Sequence, residues 1–261
     1  MGQDTVADAA EIANIAEIAN IGRLLDALAA RSEEWARAAP VGRSIEGRPI
    51  QALRVGDTAE PAALLVVAGV HGDEPATVAA AVDLWRRIQT GALAVSRPFW
   101  LIPALNPDGL RRGSKNNARD VDLNRNFPAA NFTTHHRPGY APGAAPLSEP
   151  ETRALAELVD REGIARVVAM HAPFACVNFD GPAAGWAAAV AAACGWPAKA
   201  DIGYPTPGSL GSWLGHDRRL PVLTLELPPG SFAGFASACR AALAAAVEAA
   251  IFGDSAGAAH R

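Results

Sequence analysis

Four short apolar runs, at residues 63–68, 98–103, 166–171 and 221–227, constrain this chain more than any other feature. Each has the length of a strand, and each is apolar almost throughout instead of alternating with polar residues. Such a strand is buried on both faces, which places it inside a sheet covered by helices on either side. Amphipathic helical stretches at 75–89, 149–162, 183–194 and 232–252 are interleaved with these runs. Strands alternating with helices predict an α/β domain with a largely parallel sheet. A hairpin leads into it, formed by Gly42-Arg-Ser-Ile-Glu-Gly-Arg-Pro49 and Ile50-Gln-Ala-Leu-Arg-Val55. Ser148-Glu-Pro-Glu151 opens one of the helices: Ser148 can cap it, Pro150 suits its first turn and Glu151 can complete a capping box.

The first forty residues differ in texture. Ala10-Glu-Ile-Ala-Asn-Ile15 is repeated as Ala16-Glu-Ile-Ala-Asn-Ile21, and Ile12, Ile15, Ile18 and Ile21 begin a stripe continued by Leu24, Leu25 and Leu28. This predicts helix, packed on the body or on a second copy in a homodimer, ending near Pro40. The expected organisation is a helical extension at 1–40, a catalytic domain at 41–253 and a tail at 254–261.

Bulk properties narrow the function by exclusion. A formal charge of −4 gives no general attraction to nucleic acid or anionic membrane. No run approaches the roughly 18 uncharged apolar residues of a membrane span, and the acidic N-terminus lacks the pattern of a signal peptide. Cys176, Cys194 and Cys239 are too scattered for a disulfide framework or a CxxC zinc site. A cytoplasmic enzyme or binding protein is the expectation.

Residues 104–147 break the alternation. More than forty residues without a clear strand or helix is long for a connection in a compact domain, and such loops are usually functional. This one carries Asp120-Val-Asp-Leu-Asn-Arg-Asn-Phe-Pro128, mixing apolar anchors with polar groups. Asn124-Arg125 within it pairs a neutral donor with a guanidinium, a combination suited to gripping a carboxylate.

Chemistry gathers where the buried strands end. His71-Gly-Asp-Glu74 follows the first run, His171 closes the third, and Glu226 lies at the end of the fourth. A histidine and a carboxylate on one turn can both reach a zinc ion, and a second histidine supplies the third ligand of a catalytic site. An ionised carboxylate at a buried strand end must be paired, near a metal or functional; Glu226 is therefore a candidate base.

The ordered set His71-x-x-Glu74, Asn106-Pro-Asp-Gly109, Asp122-Leu-Asn-Arg-Asn-Phe127, Ser148-Glu-Pro-Glu-Thr152, His171, Tyr204 and Thr224-Leu-Glu-Leu227 resembles the zinc carboxypeptidase (M14) family. Tyr204, Trp213 and Glu226 keep that family's spacing, and the resemblance extends from Val41 to about Phe252. The stretches 42–49, 117–129, 171–176 and 203–213 place it nearest the murein peptide amidases, which cut the γ-D-glutamyl to meso-diaminopimelate bond of free muropeptides in cell-wall recycling. The resemblance implies a mixed, largely parallel sheet flanked by helices and one zinc held by His71, Glu74 and His171. It further implies Asp122 orienting a ligand histidine, Glu226 as base, and Asn124, Arg125 and Tyr204 holding the substrate carboxylate. A loop arginine would steady the oxyanion; Arg119 is the expected one, with Arg111 and Arg112 as alternatives. The family's specificity position falls at Gly211, which leaves room for a bulky zwitterionic side chain or is merely a packing residue. A bend after the third ligand implies a cis bond at Ala172-Pro173, where cis costs least.

Two rival readings share these residues. A zinc amidohydrolase of the succinylglutamate desuccinylase or aspartoacylase type would act on N-acyl amino acids, but such proteins generally lack the tyrosine. A metal-free binding module would require loss of a ligand or the base, and all four residues are present.

Overall fold

A computed structural model describes residues 38–55, 63–95 and 97–248. The isoleucine stripe of the N-terminus and the tail after 248 lie outside these residues. The hairpin is present as β1 (Ala38–Arg43) and β2 (Pro49–Val55), antiparallel to one another. Strand β1 therefore starts within the segment expected to be extension, and Pro40 belongs to the sheet.

The four apolar runs form β3 (Leu64–Val67), β4 (Phe99–Ile102), β5 (Arg166–His171) and β8 (Val222–Glu226). The interleaved helices are α1 (Pro75–Gln89), α3 (Pro150–Arg161), α4 (Ala184–Cys194) and α5 (Phe232–Glu248). Two further strands, β6 (Cys176–Asp180) and β7 (Ala198–Lys199), complete the sheet, whose strand order is β1-β2-β4-β3-β5-β8-β6-β7. The centre, from β4 through β3 and β5 to β8, is parallel, and antiparallel pairs flank it, so the sheet is mixed and largely parallel.

Burial follows the two-residue period of a strand. Leu64 and Val66 join one core with Val78 and Leu84 of α1 and Leu243 of α5. Leu65 and Val67 join the other, with Leu155 and Val159 of α3 and with Leu123, Phe127 and Trp213 from the long connections. Covering both faces is what makes the strands read as unbroken apolar runs.

Three local expectations need correction. The connection 104–147 contains a short helix, α2 (Pro107–Arg112), whose N-cap Asn106 accepts a hydrogen bond from the Gly109 N–H at 2.8 Å and whose C-cap Gly113 is left-handed. Asn-Pro at the start and Gly at the end are ordinary helix punctuation. Strands β6 (Cys176–Asp180) and β7 (Ala198–Lys199) were not read from sequence; β6 runs antiparallel beside β8, and β7 is two residues long. The capping box does not form. Glu149 is the N-cap of α3, without a side-chain cap bond, although Pro150 does occupy the first turn. Ser148 Oγ instead donates to Glu149 and accepts from Asn126 Nδ2, and Glu151 accepts from the Ile45 N–H. These polar groups anchor the long connection to the sheet in place of capping the helix.

Candidate active site

The parallel strands deliver their C-terminal ends to one edge of the sheet. After β3 the chain turns through His71 to Glu74, and Pro75 at once starts α1. Gly72 lets this turn lie against α2, since a Cβ there would sit 2.0 Å from the carbonyl carbon of Gly109. On the neighbouring strand, His171 is the last residue of β5.

The donor atoms of His71, Glu74 and His171 all lie within 4.8 Å of one another. His71 Nδ1 is 2.8 Å from Glu74 Oε1, His171 Nδ1 is 3.1 Å from Glu74 Oε2, and the two Nδ1 atoms are 3.2 Å apart. Tetrahedral ligands each about 2.1 Å from one zinc ion would be roughly 3.4 Å from one another. Two imidazole Nδ1 atoms and a carboxylate converging at these separations fit that ion.

Behind the cluster, His71 Nε2 is 3.0 Å from Asp122 Oδ1, and the Nζ of Lys115 is 2.8 Å from Asp122 Oδ2. Asp122 is fully buried and also accepts from the Asn124 N–H, capping the 3₁₀ turn Leu123–Arg125. Burial alone would disfavour a charged His71, yet Glu74 and Asp122 outweigh it and push the imidazole up to about 10. Burial likewise opposes the charge on Glu74, but His71 and His171 hold its carboxyl down at about 2. Asp122 is held well below the usual carboxylate range against its burial, first by His71. The cluster thus presents buried negative charge to whatever cation occupies it.

Glu226 ends β8 directly beside His171 in register. Its side chain is buried, and its Oε2 has no hydrogen-bond partner. Desolvation raises its carboxyl above the ordinary value. An orphaned carboxylate oxygen among metal-binding side chains is unusual for a purely structural glutamate.

A cleft of about 440 Å³ opens over these residues, lined by His71, Glu74, His171, Glu226, Asn124, Arg125, Tyr204 and Gly211 among others. Arg125 is 5% exposed, and its Nη1 donates to Asn124 O at 2.6 Å. Asn124 Oδ1 accepts from the Leu210 N–H, while its Nδ2 lies 3.4 Å from His171 Nε2. Burial pushes the Tyr204 phenol up, and Arg125 acts in the opposite direction. Tyr204 stands at the rim with Phe174, their rings 6.1 Å apart. The bond Ala172-Pro173 is cis, as expected.

Residues 21–181 match the zinc carboxypeptidase family, Peptidase M14. The chain belongs to this family. It is 38% identical over 200 residues to murein peptide amidase A of Escherichia coli (strain K12), covering 72% of this chain and 80% of that one. Murein peptide amidase A of Vibrio campbellii is 36% identical over 181 residues, 63% of this chain and 69% of that one. The crystal structure of murein-tripeptide amidase from Escherichia coli O157 superposes with a TM-score of 0.65 at 33% identity, covering 80% of this chain and 90% of that chain. Bovine thrombin-activatable fibrinolysis inhibitor, at 18% identity and TM-score 0.73, shares the fold. As a zinc carboxypeptidase relative the chain is a hydrolase, and zinc is its cofactor.

Within this zinc peptidase frame the expected loop arginines do not meet the cleft. The side chain of Arg119 is 58% exposed and lies 3.7 Å from Glu149. Arg111 and Arg112 end α2 on the surface, where Arg112 pairs with Glu46. None of the three lines the cleft. The loop cations that do are Lys115 and Arg125. An arginine is the expected residue in this role, and the sequence did not single out Lys115. Its position seven residues before Asp122, in the same polar loop, was the available signal. Asp180 was missed as well, because it ends a strand that the sequence did not reveal.

Proposed function

We propose that this chain is a zinc-dependent amidase that hydrolyses the γ-D-glutamyl to meso-diaminopimelate bond of murein peptides, in the cytoplasm and as part of cell-wall recycling. The observation that carries the chemistry is the convergence of His71, Glu74 and His171 beside Glu226, a buried carboxylate with one oxygen unpartnered. The substrate class rests on the likeness to the murein peptide amidases over most of both chains.

In this reading His71, Glu74 and His171 hold the zinc. Bound there, zinc supplies Lewis-acid polarisation of water and of the scissile carbonyl. Asp122 fixes the orientation of His71 through Nε2, leaving Nδ1 to face the metal position. Glu226 accepts the proton of the attacking water and delivers it to the departing amine; its raised affinity for a proton suits both halves of that transfer. Arg125, buried and fixed by Asn124, receives the carboxylate beside the scissile amide, with Asn124 and Tyr204 as further donors.

Lys115, in place of Arg119, stabilises the developing oxyanion. Two directions of its ammonium are taken by Asp122 Oδ2 and by Gly139 O at 3.3 Å, and the group lies 3.3 Å from the Tyr140 ring centroid. Lys115 lines the cleft, where its positive charge is available to offset negative charge developing on the scissile carbonyl oxygen.

The deciding experiment measures zinc content and then follows L-Ala-γ-D-Glu-meso-diaminopimelate by mass spectrometry. Stoichiometric zinc with release of diaminopimelate is expected. Bound zinc with an intact tripeptide, together with turnover of an N-acyl amino acid, would replace this reading with the amidohydrolase one.

A further inference from the structure

Tyr140 lines the cleft without a part in the reaction described above, yet three cations gather on its ring. The Nζ of Lys115 is 3.3 Å from the ring centroid, the guanidinium of Arg137 is 4.5 Å away and that of Arg125 is 5.4 Å away. Among the described residues no other aromatic ring draws more than one cation. The face of an aromatic ring carries partial negative charge and attracts cations within about 6 Å of its centroid. Two of the three, Lys115 and Arg125, are the loop cations of the site.

The local sequence explains how the ring comes to lie there. Arg137-Pro138-Gly139-Tyr140 is a turn closed by the Tyr140 N–H, which donates to Arg137 O at 3.1 Å. Proline in its second position and a glycine with φ +79° in its third are the pattern of a type II turn. The turn is built onto Lys115 and Asp122. Lys115 Nζ donates to Gly139 O at 3.3 Å, and the Asp122 N–H donates to Ala141 O at 2.8 Å. Gly139, Tyr140 and Ala141 thus each touch Lys115 or the residue whose carboxylate is paired with it.

Lys115 has the greater need of such a support. Its ammonium is a compact charge on a flexible stem, and ordering that stem costs conformational entropy. Its side chain is 24% exposed, so water competes for the charge. Arg125 is anchored independently: it is buried, and its Nη1 is tied to Asn124 O at 2.6 Å. At 5.4 Å against 3.3 Å it is also the farther of the two from the ring. What the ring chiefly holds is Lys115.

We infer that Tyr140 is a positioning residue, its aromatic face holding the Lys115 ammonium where negative charge develops on the scissile carbonyl oxygen. The inference rests on the proposed amidase function and on Lys115 serving the oxyanion, and it adds a second anchor for that cation beside Asp122. Charge on the oxygen develops only as the bond is attacked, so the ring acts on kcat. The independent anchoring of Arg125 spares KM.

Two measurements on the zinc-loaded protein test this. The chain has two lysines, Lys115 and Lys199, so protein labelled with carbon-13 lysine gives two Cε–Hε correlations by NMR. That of Lys115 should be shifted upfield by the ring, in the native protein and in Tyr140→Phe, and the shift should vanish in Tyr140→Leu. In hydrolysis of L-Ala-γ-D-Glu-meso-diaminopimelate, Tyr140→Leu should lower kcat at least tenfold with KM within twofold, while Tyr140→Phe keeps at least half of native kcat. Added to Lys115→Met, Tyr140→Leu should cost less than a further twofold, because both act through one group. A Lys115 shift unchanged in Tyr140→Leu overturns the inference. So does native kcat in Lys115→Met, or a Tyr140→Leu loss that is as large in the Lys115→Met background. If Tyr140→Leu loses its zinc or melts early, pentafluorophenylalanine at position 140 keeps the shape of the ring and reverses the charge of its face; kcat equal to that of Tyr140→Phe would then overturn the inference. Should the native protein cut no γ-D-glutamyl peptide, the amidase reading fails by itself, and the NMR comparison decides separately whether the ring holds Lys115.

Discussion

His171 and Glu226 are register partners across the parallel pair β5 and β8, each the last residue of its strand. A metal-binding imidazole and a proton-accepting carboxylate are therefore set side by side by backbone hydrogen bonding; the Leu227 N–H donates to His171 O at 2.7 Å immediately beyond. Adjacent parallel strands end at one edge, where an open sheet collects its ligands. The spacing between metal and base is thus a property of the sheet and does not depend on a mobile loop.

Glu226→Gln should separate metal binding from turnover. The amide keeps the shape of the side chain but cannot accept a proton, so kcat should fall by roughly 10² to 10⁴-fold. Zinc content should stay at the native level, because the three converging donors are untouched. Metal analysis alongside steady-state hydrolysis checks this; a variant retaining more than a tenth of native kcat would remove Glu226 from the role of base.

Asp122→Asn should act through the metal. Asp122 holds His71 Nε2 at 3.0 Å and carries the Lys115 ammonium on its other oxygen. Losing the carboxylate should weaken zinc affinity by about 10 to 100-fold, as is typical of partners behind metal-binding histidines. Competition against a chelator of known affinity gives the number. Unchanged affinity would mean that His71 is oriented by other contacts.

Lys115 and Arg119 give opposite expectations. Removing the ammonium with Lys115→Met should lower kcat by about 10² to 10³-fold if it serves as an oxyanion donor. Arg119→Met should leave kcat within about twofold, since exposed ion pairs contribute little. Lys115→Arg, which restores a cation, should recover most of the activity. The reverse ranking of Lys115→Met and Arg119→Met in steady-state kinetics would return the role to Arg119.

How far the sequence revealed this arrangement depended on the kind of signal. Strands buried on both faces, such as β3 and β5, announce themselves by composition, and the residues that follow them inherit a position at the sheet edge. His71, Glu74, His171 and Glu226 were legible for that reason. Strand β6 was not, because Cys-Val-Asn-Phe-Asp lies near the sheet margin, where polar residues are tolerated and no unbroken apolar run is needed. Asp180 was hidden with it. In the long connection, the apolar anchors Leu123 and Phe127 showed that it would be ordered, but which cation turns inward is decided by contacts with Asp122 and Tyr140 that no local pattern encodes. The same is true of Ser148, whose local sequence favours a helix cap while Asn126, 22 residues away, takes its hydroxyl.

Gly72 ties the stability of the fold to the geometry of the metal turn. It lies between the two donors of the His71–Glu74 turn, and a Cβ there would come within 2.0 Å of Gly109 C, 2.3 Å of Gly109 O and 2.4 Å of Leu110 N. All three are backbone atoms of α2, so no side chain can rotate away to relieve the overlap. Gly72→Ala must therefore push the turn off α2, with a cost of about 1–3 kcal/mol or more in unfolding free energy. Because His71 moves with the turn, zinc affinity should fall in parallel. Gly185→Ala is the matching control: it lies in α4 with nothing within 4 Å of the added carbon. There alanine should be neutral or stabilise by about 0.5–1 kcal/mol through helix propensity. Urea unfolding of both variants, zinc-loaded and chelated, distinguishes them. If Gly72→Ala unfolds at the native midpoint in both states, the contact between the metal turn and α2 is not as tight as these distances require.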